Sequence, residues 1–169
     1  MKIIILAGGL GTRLAEYTDL MPKPMVRIGD KPIIHHIMKI FSKYGHNDFL
    51  IALGYKGELI KEYFINYKNF NSDLEIDLSN GEIKFLKSNN IDWKVSLINT
   101  GLNTMTGGRI RRLRDKINNE RFFLTYGDGL SDVNINSLLD FHKSHGKLVT
   151  LTAVRPNARF GELKIINDK

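Results

Sequence analysis

Short runs of branched apolar residues alternate along the chain with segments whose apolar positions recur every three or four residues. Lys2–Leu6, Asp48–Leu53, Lys94–Asn99, Arg121–Tyr126 and Leu148–Val154 are runs of the first kind and predict strands. Between them, Ile33, Ile34, Ile37, Met38 and Phe41 share one helical face, and Leu59, Ile60, Tyr63 and Phe64 share another. A third helix is expected to begin at the glycines before Arg109. A fourth spans Ile135 to Ser144 with Asn134 as its cap. Phe70–Phe85 breaks the alternation: "DLEIDLSNGEIKFL" predicts a hairpin turning at Asn80-Gly81. Strands alternating with helices predict an α/β fold with a mainly parallel sheet. No repeat, low-complexity tract or linker interrupts the pattern, so residues 1–169 are expected to form one domain.

Composition narrows the class. A chain of 169 residues that is 42% hydrophobic can bury a substantial core. Cysteine is absent, which removes disulfides and thiolate metal sites and agrees with a cytoplasmic location. The apolar start, Ile3 to Ala7, is shorter than a signal-peptide core and runs into glycines where a cleavage site would stand. No segment reaches the length of a membrane span, so no membrane partner is expected. The formal net charge of +7 favours an anionic partner.

In open α/β sheets ligands bind beyond the carboxyl ends of the strands. Two glycine-marked loops leave such ends, "LAGGLGTRL" after the first strand and "TYGDG" after the fourth, and both should line one crevice. The first loop matches neither familiar phosphate motif. The dinucleotide fingerprint needs glycine where Leu14 stands, and a Walker A loop from Gly8 needs Gly-Lys where the chain has Arg13-Leu14. Its physics still suits phosphate, because glycines expose backbone N–H groups and Arg13 adds a two-pronged cation. Lys23 lies between Pro22 and Pro24, so an extended backbone is expected to pre-set its position. Asp128, between Gly127 and Gly129, could hold a hard cation against phosphates. In "TMTGGRI", Thr104 and Thr106 offer hydroxyls and Arg109 is a ligand candidate at a helix start. Arg111, Arg112 and Arg114 are expected to include solvated positions. The five histidines make no metal set, and His142 and His145 read as surface residues of one helix.

Each of these features also has an ordinary explanation: a tight strand-to-helix turn, a rigid surface Pro-Lys-Pro, an Asp-Gly turn. Their combination is more specific. "LAGGLGTRL", "PKPM", "GYKGELIKEYF", "TGLNTMTGGRIRRL", "TYGDGLSD" and "FHKSHGKLVTLTAVRPNARFGELKI" together resemble the sugar-1-phosphate nucleotidylyltransferases, from Met1 to the last residue. "MTGGR" and "YGDG" favour the glucose-1-phosphate cytidylyltransferase branch. The resemblance implies a Rossmann-like nucleotide-diphospho-sugar transferase fold, of which residues 1–169 would be the N-terminal portion. It implies transfer of a cytidylyl group from CTP to glucose 1-phosphate, giving CDP-glucose and pyrophosphate, with Mg²⁺, in surface-polysaccharide biosynthesis. On that reading Leu6, Ala7, Gly8, Gly9, Leu10, Gly11 and Thr12 cradle base and phosphates. Arg13 holds the leaving pyrophosphate, Lys23 stabilises charge near the α-phosphate, and Asp128 binds the metal. Thr104, Arg109 and Gly127 line the nucleotide and sugar sites. A homo-oligomer is expected of the full-length form.

Two departures from the family pattern stand out. "FGELKI" has Lys164 where the family carries an acid, with Glu162 two places earlier, which leaves the sugar open. The family's second metal-binding Asp and its "EKP" lysine have no counterpart before Lys169, so this chain is expected to bind nucleotide yet turn over poorly. Two readings from other classes compete: a catalytically inactive nucleotide-binding module, and a nucleic-acid binder using the Arg109–Arg114 cluster. No zinc-finger, basic-zipper or aromatic-basic RNA motif accompanies that cluster.

Overall fold

The computed structural model describes residues 1–10, 20–88 and 91–154. Four strands form one all-parallel sheet: β1 (Lys2–Ala7), β4 (Asp48–Leu53), β7 (Lys94–Asn99) and β8 (Phe122–Tyr126), in the spatial order β7-β4-β1-β8. β1 and β4 each bury five consecutive residues, Ile3–Ala7 and Phe49–Leu53. That is the signature of inner strands covered on both faces, and it explains why these runs are apolar throughout and do not alternate. The order reverses between β1 and β8, so a crevice opens beyond their carboxyl ends.

Alternate residues of the strands point to opposite layers. Ile4, Leu6, Leu50 and Ala52 pack with Leu113, Ile117, Ile110, Ile98 and Phe122. Leu113 lies between the short helices α4 (Thr106–Arg112) and α5 (Arg114–Ile117), which therefore cover this face. The other face meets α1 (Ile33–Lys43), whose Ile34, His35, Ile37, Met38 and Phe41 are buried at the predicted helical spacing. Phe41 lies 5.5 Å from Phe123 of β8 between ring centres. Gly45, at φ 78°, closes α1 in the left-handed conformation, with the His46 N–H donating to Phe41 O at 3.2 Å. The second predicted helix is α2 (Gly57–Ile65), followed by the short α3 (Tyr67–Phe70).

The predicted hairpin is present as β5 (Ser72–Asp77) paired antiparallel with β6 (Glu82–Ser88). Its loop is longer than the Asn80-Gly81 pair. Asp77 O accepts from the Gly81 N–H, and its carboxylate accepts from both the amide and the hydroxyl of Ser79. A two-residue ribbon, β2 (Arg27–Ile28) with β3 (Lys31–Pro32), leads into α1.

The chain divides into two compact units, Met1–Asp132 and Val133–Lys169. In the second, α6 (Ile135–His145) begins as predicted at Asn134, whose side chain accepts from the Ser137 N–H at 3.1 Å. His142 and His145 are half-buried, each with a ring nitrogen 2.8 Å from the Thr150 hydroxyl oxygen. The predicted strand Leu148–Val154 is corrected. These residues take no strand conformation, and Leu148, Val149, Leu151 and Val154 are exposed. Branched composition favours a strand only where a neighbour supplies the ladder and a face to pack on, and none of the described strands pairs here.

His35 makes the first unit sensitive to acid. It is 7% exposed, its ring stacked on Tyr67 and 5.1 Å from Trp93 between ring centres, with Nδ1 3.2 Å from the Tyr63 hydroxyl. Burial, reinforced by the charge of Lys31, pushes the imidazole down to about 4. An unfolded chain takes up that proton near pH 6.5, whereas the native one resists it until about pH 4. Stability is therefore full above pH 6.5 and is lost progressively as the pH falls towards 4. The urea midpoint should drop between pH 7 and pH 4.5, and His35→Gln should shrink that drop. An unchanged pH profile in the variant would clear His35 of the effect.

Candidate active site

The site begins at the carboxyl end of β1. Leu6 O accepts from the Gly127 N–H at 2.9 Å, which ties the loop after β8 to the loop after β1. Gly127 must be glycine because a Cβ there would lie 2.9 Å from Pro24 Cγ and 3.1 Å from Leu6 O. Pro24 sits in that notch. Its neighbour Lys23 is thereby carried to the same place, with Nζ 3.8 Å from Asp128 Oδ2. Lys23 is not extended, as Pro-Lys-Pro had suggested. It is the first residue of a 3-10 turn, Lys23–Met25, closed by the Met25 N–H donating to Pro22 O at 2.8 Å. The extended residue is Pro22, at φ −69° and ψ 146°.

A cavity of about 240 Å³ lies between these loops, lined by Leu6, Ala7, Gly8, Gly9, Lys23, Pro24, Thr104, Met105, Thr106, Arg109, Tyr126, Gly127 and Asp128. Ten positions that the sequence offered for the site therefore meet at one place: Leu6, Ala7, Gly8, Gly9, Lys23, Thr104, Thr106, Arg109, Gly127 and Asp128. Leu10 is half-exposed and does not line it. Gly11, Thr12 and Arg13, like Glu162 and Lys164, lie outside the described residues. Pro24, Met105 and Tyr126 were missed. Each lies inside a motif that led there, Pro24 in "PKPM", Met105 in "MTGGR" and Tyr126 in "TYGDG".

A larger groove of about 410 Å³ is lined by Phe64, Ile65, Tyr67, Trp93, Val95 and neighbours at the opposite edge of the sheet. It holds one cation, Lys68, and no carboxylate, so the chemistry belongs to the smaller cavity.

Arg109 is placed differently from a simple ligand residue. It lines the cavity but is 5% exposed, and its terminal nitrogens donate to Gly8 O, Leu53 O, Thr100 Oγ, Gly101 O and Leu102 O. Burial, with the neighbouring charge of Arg112, pulls its pKa below the ordinary arginine value. Arg112 donates to Thr100 O but is exposed, as are Arg111 and Arg114, so Arg109 alone of the cluster is buried. The basic cluster is thus divided and does not form one continuous face. Gly8 earns its place through Arg109, since a Cβ at Gly8 would lie 2.2 Å from the guanidinium. Gly9 has nothing within 4 Å of where a Cβ would stand, so that position opens onto free space.

Among the described residues no three His, Asp, Glu or Cys side chains gather into a metal set. Asp128 fits a hard cation of the Mg²⁺ type nonetheless. Such ions are commonly held by one or two carboxylates together with the substrate's own phosphates, and the Asp128 carboxylate is 43% exposed at the cavity.

A family model for nucleotidyl transferases matches residues 2–168. The chain belongs to the nucleotidyl transferase family. It is 50% identical over 166 residues to glucose-1-phosphate cytidylyltransferase of Salmonella typhimurium, covering 98% of this chain and 65% of that protein. It is 46% identical over 165 residues to the probable glucose-1-phosphate cytidylyltransferase of Bacillus subtilis, again covering 65% of its length. The chain therefore spans less than two thirds of these curated relatives. Among solved structures, HddC from Yersinia pseudotuberculosis complexed with GMP-PN aligns with a TM-score of 0.63 at 26% identity, over 83% of this chain and 53% of that one. Similarity to other nucleotidyl transferases agrees with the four-stranded parallel frame and with the sequence-based α/β assignment. No helix among the described residues is long and apolar enough to cross a membrane.

The two glycines of "YGDG" separate cleanly. Gly127→Ala must displace Pro24 and should cost about 1–3 kcal/mol, the usual range for overpacking. Gly129 has nothing within 4 Å of a Cβ position, so Gly129→Ala should stay within about 0.5 kcal/mol of the parent. Urea unfolding of both variants measures the contrast, and equal losses would show that Pro24 does not depend on the notch.

Proposed function

We propose that this cavity binds CTP for transfer of its cytidylyl group to glucose 1-phosphate, giving CDP-glucose and pyrophosphate. The observation that carries this reading is the convergence of the glycine loop, Lys23 and Asp128 on one cavity, in a chain 50% identical to a cytidylyltransferase of that name. In the reaction an oxygen of the sugar phosphate forms a bond to the α-phosphorus, and the bond from that phosphorus to the bridging oxygen of pyrophosphate breaks. The work left to the protein is positioning and charge stabilisation.

Each side chain has a part suited to its place. Backbone N–H groups around the open Gly9 face the phosphates, and Lys23 draws charge from the α-phosphate as it grows. Asp128 would hold Mg²⁺, which when bound neutralises phosphate oxygens. Lys23 and Asp128 now pair with each other at 3.8 Å. At that separation, with the carboxylate 43% exposed, the pair is loose, so both groups can exchange partners for phosphate and metal. Arg13, which follows in the same sequence motif, is assigned to the departing pyrophosphate, and Thr104 with Gly127 to the nucleotide and sugar walls.

Calorimetry should find CTP bound more tightly with Mg²⁺ than without. Asp128→Asn should lose that difference while keeping the metal-free affinity, because an amide lacks the charge that holds a hard cation. Lys23→Met should weaken CTP about ten-fold or more, the loss of one charge-assisted hydrogen bond. Transfer itself is read as pyrophosphate release from CTP, glucose 1-phosphate and Mg²⁺, by this chain alone and by a fusion to the remaining third of the Salmonella relative. Tighter binding of UTP or GTP than of CTP would reject cytosine as the base. CTP binding without release in either form would favour an inactive binding module.

A further inference from the structure

We infer that Arg109 is a positioning residue: its buried guanidinium pins the Gly8 carbonyl and so holds the glycine turn in its ligand-binding shape, without itself contacting phosphate. The inference rests on the reading of this cavity as a nucleotide site. Nη2 donates to Gly8 O at 2.7 Å and to Leu102 O at 3.2 Å. Nη1 donates to Thr100 Oγ at 2.7 Å, Gly101 O at 2.8 Å and Leu53 O at 3.1 Å. The two terminal nitrogens carry four N–H groups between them, and five protein oxygens already compete for those four. Neither terminal nitrogen has a donor left over for a phosphate.

The surroundings are shaped as a socket for this group. A Cβ on Gly8 would lie 2.2 Å from Nη1, and one on Gly54 would lie 2.6 Å from it and 2.5 Å from Gly8 O. Gly101, at φ 86° in a conformation that favours glycine, leaves its room to the neighbouring Arg112 guanidinium and gives its carbonyl to Arg109. Two loops, following β1 and β4, each give up a side chain around this one cation, and the loop after β7 supplies Thr100 Oγ and Gly101 O as acceptors. The Tyr55 N–H donates to the same Gly8 oxygen at 3.2 Å. That carbonyl is therefore held from two sides while the chain beyond it, at Gly9, stays open. Lysine could not replace the guanidinium, because a single ammonium nitrogen cannot reach oxygens on both flanks of the socket. Among the described residues no carboxylate pairs with Arg109, so its charge adds to the attraction for an anion bound above the turn.

The experiment compares the parent chain with Arg109→Ala, Arg109→Lys and Thr100→Val by CTP calorimetry with Mg²⁺ and by amide hydrogen exchange at Gly9 and Tyr55. Arg109→Ala should weaken CTP about 10- to 100-fold, the scale expected when binding groups are misplaced by an ångström, and should speed exchange at Tyr55. Millimolar guanidinium ion should restore much of both, and methylammonium should restore neither. Arg109→Lys should behave like Arg109→Ala, because charge alone does not fill the socket. If Arg109→Ala does not fold, Thr100→Val still tests the socket: it removes one acceptor and should weaken CTP about five-fold with faster Tyr55 exchange. Full CTP affinity in Arg109→Lys, or Tyr55 exchange unchanged in Arg109→Ala, would overturn the inference. If the parent binds no nucleotide, the reading of the site fails separately, and Gly9 and Tyr55 exchange with guanidinium rescue still decides whether Arg109 holds the turn.

Discussion

A guanidinium buried among backbone oxygens, where three parallel strands end, is the interaction on which the geometry of this site depends. Carbonyl groups at strand ends have lost their ladder partners, and a buried carbonyl without a donor is costly. Arg109 answers that need for the ends of β1, β4 and β7 together. In return the loops after β1 and β4 must come close enough to surround one flat group, which only glycine permits at positions 8 and 54, while Gly101 makes room for the adjacent Arg112. Thr100, fully buried, completes the arrangement: its hydroxyl donates to Leu53 O at 2.7 Å and accepts from Arg109.

The second constraint is the notch at Gly127. It seats Pro24, and Pro24 brings Lys23 against Asp128. The two constraints act on opposite walls of one cavity. One sets the backbone of the first glycine loop, and the other sets the cation and carboxylate facing it. Among the described side chains that line the cavity the balance of charge is uneven, with Lys23 and Arg109 against Asp128. An anionic ligand that carries its own cation suits that balance, and membership of the nucleotidyl transferase family supplies the chemistry it would serve.

Much of this was legible because local chemistry and tertiary environment agree. The uninterrupted apolar runs of β1 and β4 read as buried parallel strands, and that is how they fold. The helical spacing of α1 and the cap at Asn134 are likewise local properties, formed by residues a few positions apart. Leu148–Val154 fails for the complementary reason, since a strand is a property of two segments and its partner cannot be read from its own residues. Lys23 was misread because the rule for residues preceding proline describes an isolated dipeptide. Two turn hydrogen bonds, to Pro22 O and Lys23 O, outweigh it here.

The sequence by itself determined the α/β class, the four sheet strands, the hairpin and the longer helices of the first unit, and the motifs that would bear the chemistry. These depend on period, composition and spacing along the chain, all of them short-range. Only the tertiary structure decided what the glycines are for. In the sequence Gly8 reads as room for a ligand, yet the fold fills that room with Arg109 and leaves Gly9 open. It likewise gives Gly127 to a proline, and turns Arg109 from a hand extended to the substrate into a support beneath the loop. Those assignments turn on contacts between residues far apart in the chain, where a few tenths of an ångström separate an accommodated group from an excluded one.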